Sequence, residues 1–192
     1  MFGLFTLPLT VPNYLAGFVG KPVLPLDAPE VSAAIERVQK RTDALLNCGG
    51  THRPEWFHRK LGDILYEGCG VARDEAGLLD ALTKVRELRE EFWRDVKVVG
   101  TGNRLNQELE KAGRVADFIE LGEVMILDAL DRRESAGAHF RNEYATEAGE
   151  AKRNDGDWCA VSAWETRPDG TKVRHSEPLS FSLIDLQVRD YR

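Results

Sequence analysis

Four histidines and three cysteines are the side chains of this 192-residue chain best suited to hold a metal or activate a nucleophile. Their spacing supports neither use. His52 and His58 stand six apart, on different faces of a helix. His139, His175, Cys48, Cys69 and Cys159 share no ligand-like pattern. No serine sits in a G-x-S-x-G elbow and no cysteine adjoins a histidine. The run Val98-Val-Gly100-Thr-Gly102-Asn-Arg-Leu105 carries two glycines of a dinucleotide fingerprint, but Leu105 takes the third place and a helical pattern precedes the run. It reads as a helix–helix turn. Glu87, Glu90, Glu91, Glu108 and Glu110 read as solvated helix faces, with no carboxylate couple set apart for acid–base work.

The unusual stretch is Arg132-Arg-Glu-Ser-Ala-Gly-Ala-His-Phe-Arg141. Charges end a long apolar pattern, small residues follow, and then come His139 and Arg141. Small residues let backbone approach another surface, and a guanidinium can fork onto a carboxylate or carbonyl. Arg133, Glu134, Ser135, Gly137, His139 and Arg141 are therefore candidates for a docking contact. An equal reading is a helix C-terminus whose cations favour the helix dipole. On the residues alone both stand.

The elements that would position this stretch are mostly helical. Asp27-Ala-Pro-Glu30 opens a helix with apolar positions at Val31, Ala34, Ile35, Val38 and Leu45, stopping at Asn47-Cys-Gly-Gly50. Pro54 opens a second, ending at Gly68 or Gly70. Asp74 caps a third, with Leu78, Leu82, Val85, Leu88 and Phe92 as its stripe. The fourth runs from about Asn106 to Arg133. Residues 134–157 are irregular. Asp157–Glu165 alternates as a strand, Arg167-Pro-Asp-Gly170 is a turn, and Thr171–His175 returns. Leu179–Val188 reads as a third strand or an extended tail. The pattern predicts a mostly α fold: an antiparallel three- to four-helix bundle with a small C-terminal β hairpin and an extended tail.

Composition bounds the rest. Hydrophobic residues make up 42% and charged residues 30%, so a wholly disordered chain is excluded. A net charge of -6 with no Lys/Arg-rich run argues against nucleic acid as a partner. Three widely spaced cysteines are no disulfide framework and suit a reducing compartment. The first twenty residues are nearly uncharged yet carry Pro8, Pro12 and Asn13. Neither a secretory leader nor a membrane helix fits them. They read as a buried irregular segment followed by a short helix, in need of a partner surface.

At the Glu134–Arg141 turn the chain resembles the C-terminal region of the flavoprotein subunit of succinate dehydrogenase and fumarate reductase. The matching pieces are Leu105–Phe118, Glu134–Arg141 with Tyr144, Asp155–Trp158, Ser162–Glu165 and Glu177–Phe181. Leu4-Phe-Thr-Leu-Pro8 and Asn13-Tyr-Leu-Ala16 resemble the stretch where the flavin domain of those subunits ends. Ala136 departs from the pattern, since many members carry Arg between the Ser and Gly.

The resemblance implies three parts: residues 1–27 as the end of a flavin domain plus linker, 28–134 as a helical bundle, and 135–192 as a polar loop and β appendage. It implies a brace for an FAD-binding domain, with contacts to an iron–sulfur subunit and only indirect ones to a membrane anchor, placed in the cytoplasm or at the cytoplasmic face of the inner membrane. The family's flavin and dicarboxylate motifs match no position here, so no catalytic, cofactor or metal residue is assigned. FAD belongs to the parent subunit, and the chain alone is expected to be colourless and inactive. Two competing expectations are a freestanding helical interaction module and the C-terminal region of an L-aspartate oxidase-like flavoprotein.

Overall fold

A computed structural model of the chain describes residues 7–184, 186 and 187, which fall into two units divided between Arg41 and Thr42. In the first unit, α1 spans Leu7–Ala16, and α2, Pro29–Asn47, begins. Where the expected irregular segment is described, Leu7–Ala16 is helical and exposed; residues 1–6 lie outside the described residues. Pro8 lies in the first turn, where an N–H has no helical partner, so Pro12 removes only one backbone bond from the ladder.

The second unit is built on three helices, α3 (Pro54–Gly68), α4 (Glu75–Asp95) and α5 (Gln107–Asp131), which pack against one another. Their starts follow local chemistry. Pro54 opens α3 at a position that needs no N–H donor. The Asp74 carboxylate accepts the Gly77 N–H at 2.8 Å, and the Asn106 amide oxygen accepts the Leu109 N–H at 3.1 Å. Asn106 also donates to the carbonyls of Val99 and Thr101, at 2.9 and 3.2 Å. The two-glycine run is therefore a helix–helix turn held by its own cap, with Gly100 at a φ of 93°.

The expected α4 stripe is buried in full, and Leu45 from the end of α2 joins the core. Phe57 and Phe92 meet edge to face, 5.2 Å apart. A Cβ on Gly122 of α5 would lie 3.3 Å from a Leu61 methyl, so the α3–α5 crossing is close. Not every apolar position faces inward: Phe118 and Met125 of α5 are exposed.

The β part has two pieces. Ala72–Arg73 (β1) pairs in parallel with Phe140–Arg141 (β2), a contact the pattern did not announce. Ala160–Thr166 (β3) and Lys172–Pro178 (β4) form the antiparallel hairpin around the expected turn. The strand starts three residues later than expected, because Asp155–Trp158 forms a single helical turn, α6. The hairpin sits on α5 through polar contacts. The Trp164 indole N–H donates to Asp128 at 2.8 Å, Lys172 to Glu120 at 3.0 Å, and Arg174 pairs with Asp131 at 2.6 Å. Past β4 the Leu179 N–H still reaches the Cys159 carbonyl at 2.9 Å. The described residues beyond it form no third strand, and 182–184 bend; Asp185 and Val188 lie outside the described residues.

Candidate functional site

The turn after α5 is a network of charged and polar groups in which three residues are buried: Glu134, Ser135 and Arg141. A helix end leaves four backbone carbonyls without helical partners. Arg141 answers that need, donating from Nη1 to the carbonyls of Ala129 and Leu130 at 2.8 and 3.3 Å. Its Nε donates to Glu143 at 3.1 Å. Glu143 in turn accepts the Glu75 N–H, the first of α4, at 2.5 Å. One ion pair thus bridges the negative end of α5 and the positive end of α4, each charge at the pole that favours it. Burial pushes the Glu143 carboxyl up, but the Arg141 and Glu75 donors outweigh it and hold it below the usual range.

Glu134 has the same character. Arg132 donates to one oxygen at 2.6 Å and the Asn154 N–H to the other at 2.8 Å. Arg132 lies 5.6 Å from the Trp158 ring, with Arg174 at 4.9 Å from the same ring. The Ser135 hydroxyl accepts the Arg141 N–H at 2.8 Å and donates to the Arg141 carbonyl at 3.1 Å. His139 donates from Nε2 to the Arg132 carbonyl at 3.0 Å and accepts from Arg73 at Nδ1, 3.3 Å away. Burial lowers its imidazole most; the bond to the Arg132 carbonyl pulls the other way, but the Arg73, Arg132 and Arg141 guanidiniums add to burial and keep it below the ordinary value of 6.5.

The structure therefore brings all six candidate residues into one turn and divides them. Glu134, Ser135, His139 and Arg141 direct their polar atoms inward. Arg133 and Gly137 are exposed, and Gly137 has a φ of 58° with open space beside it. The helix-capping reading describes Arg141. Residues that sequence reasoning missed are Arg73, Glu143 and Asn154. Only Glu143 left a signal, two residues beyond Arg141. The partners of the other two lie 66 and 20 residues away.

Two further clusters lie outside the turn. Glu123 of α5 is buried and receives both Arg86, at 2.8 Å, and Arg89 of α4. Burial would raise its carboxyl, and the two guanidiniums more than reverse that. Together with Arg133, Trp164 and Lys172 these groups line an open cleft of about 900 Å³. At the α2–α3 joint, His52 meets Asp95 at 2.5 Å, and Thr51 donates its hydroxyl and N–H to the same carboxylate. Those contacts, His52 first, hold Asp95 down to about 2. Among the described residues no group of His, Cys, Asp and Glu is placed to hold a metal, and no helix is long and apolar enough to cross a membrane.

Relatives bear out the resemblance. The chain is 26% identical over 160 residues to the succinate dehydrogenase flavoprotein subunit of Bacillus subtilis, covering 83% of this chain and 26% of the relative. It is 28% identical over 188 residues to the fumarate reductase flavoprotein subunit of Helicobacter pylori, covering 96% of this chain and 25% of the relative. The chain thus spans about a quarter of the length of these relatives. Its fold matches a chain of Escherichia coli quinol fumarate reductase with a TM-score of 0.72 at 24% identity, over 88% of this chain and 28% of that one. An adenosine-5-phosphosulfate reductase chain matches at 0.68 with 16% identity, over 94% of this chain and 29% of that one, so the fold by itself does not select a reaction. The model of the family described as fumarate reductase flavoprotein C-term matches residues 58–191, more than half of the chain. By that match, this chain belongs to the fumarate reductase flavoprotein C-terminal family.

Proposed function

We propose that the chain braces the FAD-binding domain of a succinate dehydrogenase or fumarate reductase flavoprotein and offers surface to the iron–sulfur subunit, with no catalytic group of its own. The observation that carries this reading is the use made of the buried charges. Glu123, Glu134 and Arg141 are each paired within the chain, on helix ends or between helices, and present no free polar group to a substrate. Such groups hold a shape rather than perform chemistry. The exposed tip at Gly137 and Ala138, with Arg133 beside it, is the part of the turn open to a docking partner. Exposed Leu7, Leu9, Tyr14, Leu15 and Phe18 make up a second apolar stretch suited to a partner surface.

The succinate–fumarate reaction and FAD belong, in this reading, to the assembled flavoprotein. The test is an activity assay with an artificial electron acceptor. The chain by itself should not oxidise succinate. Combined with the FAD-binding portion of its flavoprotein, it should raise succinate oxidation above that of the FAD-binding portion alone. Turnover by the isolated chain, or no gain on mixing, would overturn the reading.

A further inference from the structure

The His139 ring is held by two partners that fix its protonation state. A carbonyl can only accept, so the bond to the Arg132 oxygen places the proton on Nε2. A guanidinium can only donate, so the contact from Arg73 requires a bare Nδ1. Only the neutral Nε2–H tautomer satisfies both. The backbone closes the same turn: the Ala136 N–H donates to the His139 carbonyl at 2.8 Å and the His139 N–H to the Ala136 carbonyl at 3.1 Å. The exposed Gly137 and Ala138 lie between these bonds. Phe140 and Arg141, directly after, pair with Ala72 and Arg73.

We propose that His139 is a proton-operated latch: neutral, it pins the Gly137–Ala138 tip to the end of α5, and protonated, it releases the tip. The Nε2–H bond to the Arg132 carbonyl survives protonation, so the release acts at Nδ1, where an added proton would meet the Arg73 N–H head on. It would also add a fourth cation beside Arg73 from β1, Arg132 from the end of α5 and Arg141 from β2. The nearby carboxylates are already engaged, Glu134 by Arg132 and the Asn154 N–H, and Glu143 by Arg141 and the Glu75 N–H. The sign follows from the depressed titration. The pinned turn favours the neutral ring, so the latch is complete above the ordinary value of 6.5 and weakens as pH falls below it. This deepens the docking reading of the turn, because association through the tip would then weaken in acid.

The experiment is NMR on the full chain from above pH 7 to about pH 5. Ring nitrogen shifts should show the Nε2–H tautomer at the upper end. Amide exchange at 135–141, corrected for intrinsic rates, should rise roughly tenfold as His139 takes up its proton. His139→Gln supplies an amide that can donate and accept but cannot titrate, and it should abolish the acid step while keeping the turn protected. An Nδ1–H tautomer, an unchanged turn on protonation, or an equal acid step in His139→Gln would each overturn the latch. All are read without a partner, so their failure leaves the docking reading standing. Failure of the turn to dock while the acid step persists removes docking and leaves the latch.

Discussion

The α3–α5 bundle and the turn that follows it are neighbours held together by different forces. In the bundle, Phe57, Leu78, Val85, Phe92 and Ile119 exclude water and touch one another, and the attraction scales with the area they bury. In the turn, Arg141, Glu143, Glu134 and Ser135 hold by bonds that each need one geometry. The first kind of contact tolerates exchange of similar shapes. The second leaves buried partners unmet when one member is lost. The bundle is thus a rigid body, and the turn a directional joint at its end.

The contrast can be broken most strongly at its apolar side. Phe57→Ala should lower stability by about 3–5 kcal/mol, read from the shift of the urea unfolding midpoint, because the site faces Phe92 in a closed core. Phe57→Leu should recover most of the loss, as packing by shape allows.

The directional side is sharpened by Arg141. Arg141→Met keeps much of the volume but strips two carbonyls of α5 and leaves Glu143 without its cation. We expect a loss of about 3 kcal/mol by the same unfolding measurement. Arg141→Lys should restore only part of it, since an ammonium cannot reach both helix ends as a planar fork does. Equal recovery by Lys would mean that charge alone, not geometry, holds the joint.

The smallest effect concerns the Asp95 carboxylate at the edge of the bundle. Its carboxyl titrates at about 2 instead of the ordinary 3.8, so its contribution is whole above pH 3.8 and fades as pH falls toward about 2. Unfolding midpoints followed across that range should fall more steeply in the native chain than in Asp95→Asn. Parallel curves would remove His52 and Thr51 as its anchors.

The same division decides how much could be read from the residues. Period and capping made the bundle legible: Asp74, Asn106 and Pro54 mark helix starts, and the Leu78–Phe92 stripe is the core face. The hairpin was legible from its turn. The β1–β2 pair was not, because two residues per strand carry no period and their register joins positions 68 apart, such as Ala72 and Phe140. The turn's composition marked it as unusual, yet composition could not say which side chains point inward. That depends on the carbonyls Arg141 finds at Ala129 and Leu130 and on Asn154 arriving at Glu134. The N-terminal prolines misled in the other direction, since one missing backbone bond does not end a helix.

The most direct test of the brace is flavin retention. The FAD-binding portion of the flavoprotein, desalted with and without this chain, should keep its yellow absorbance only when the chain is present, and the chain alone should be colourless. Equal retention in both samples, or bound flavin on the isolated chain, would contradict it.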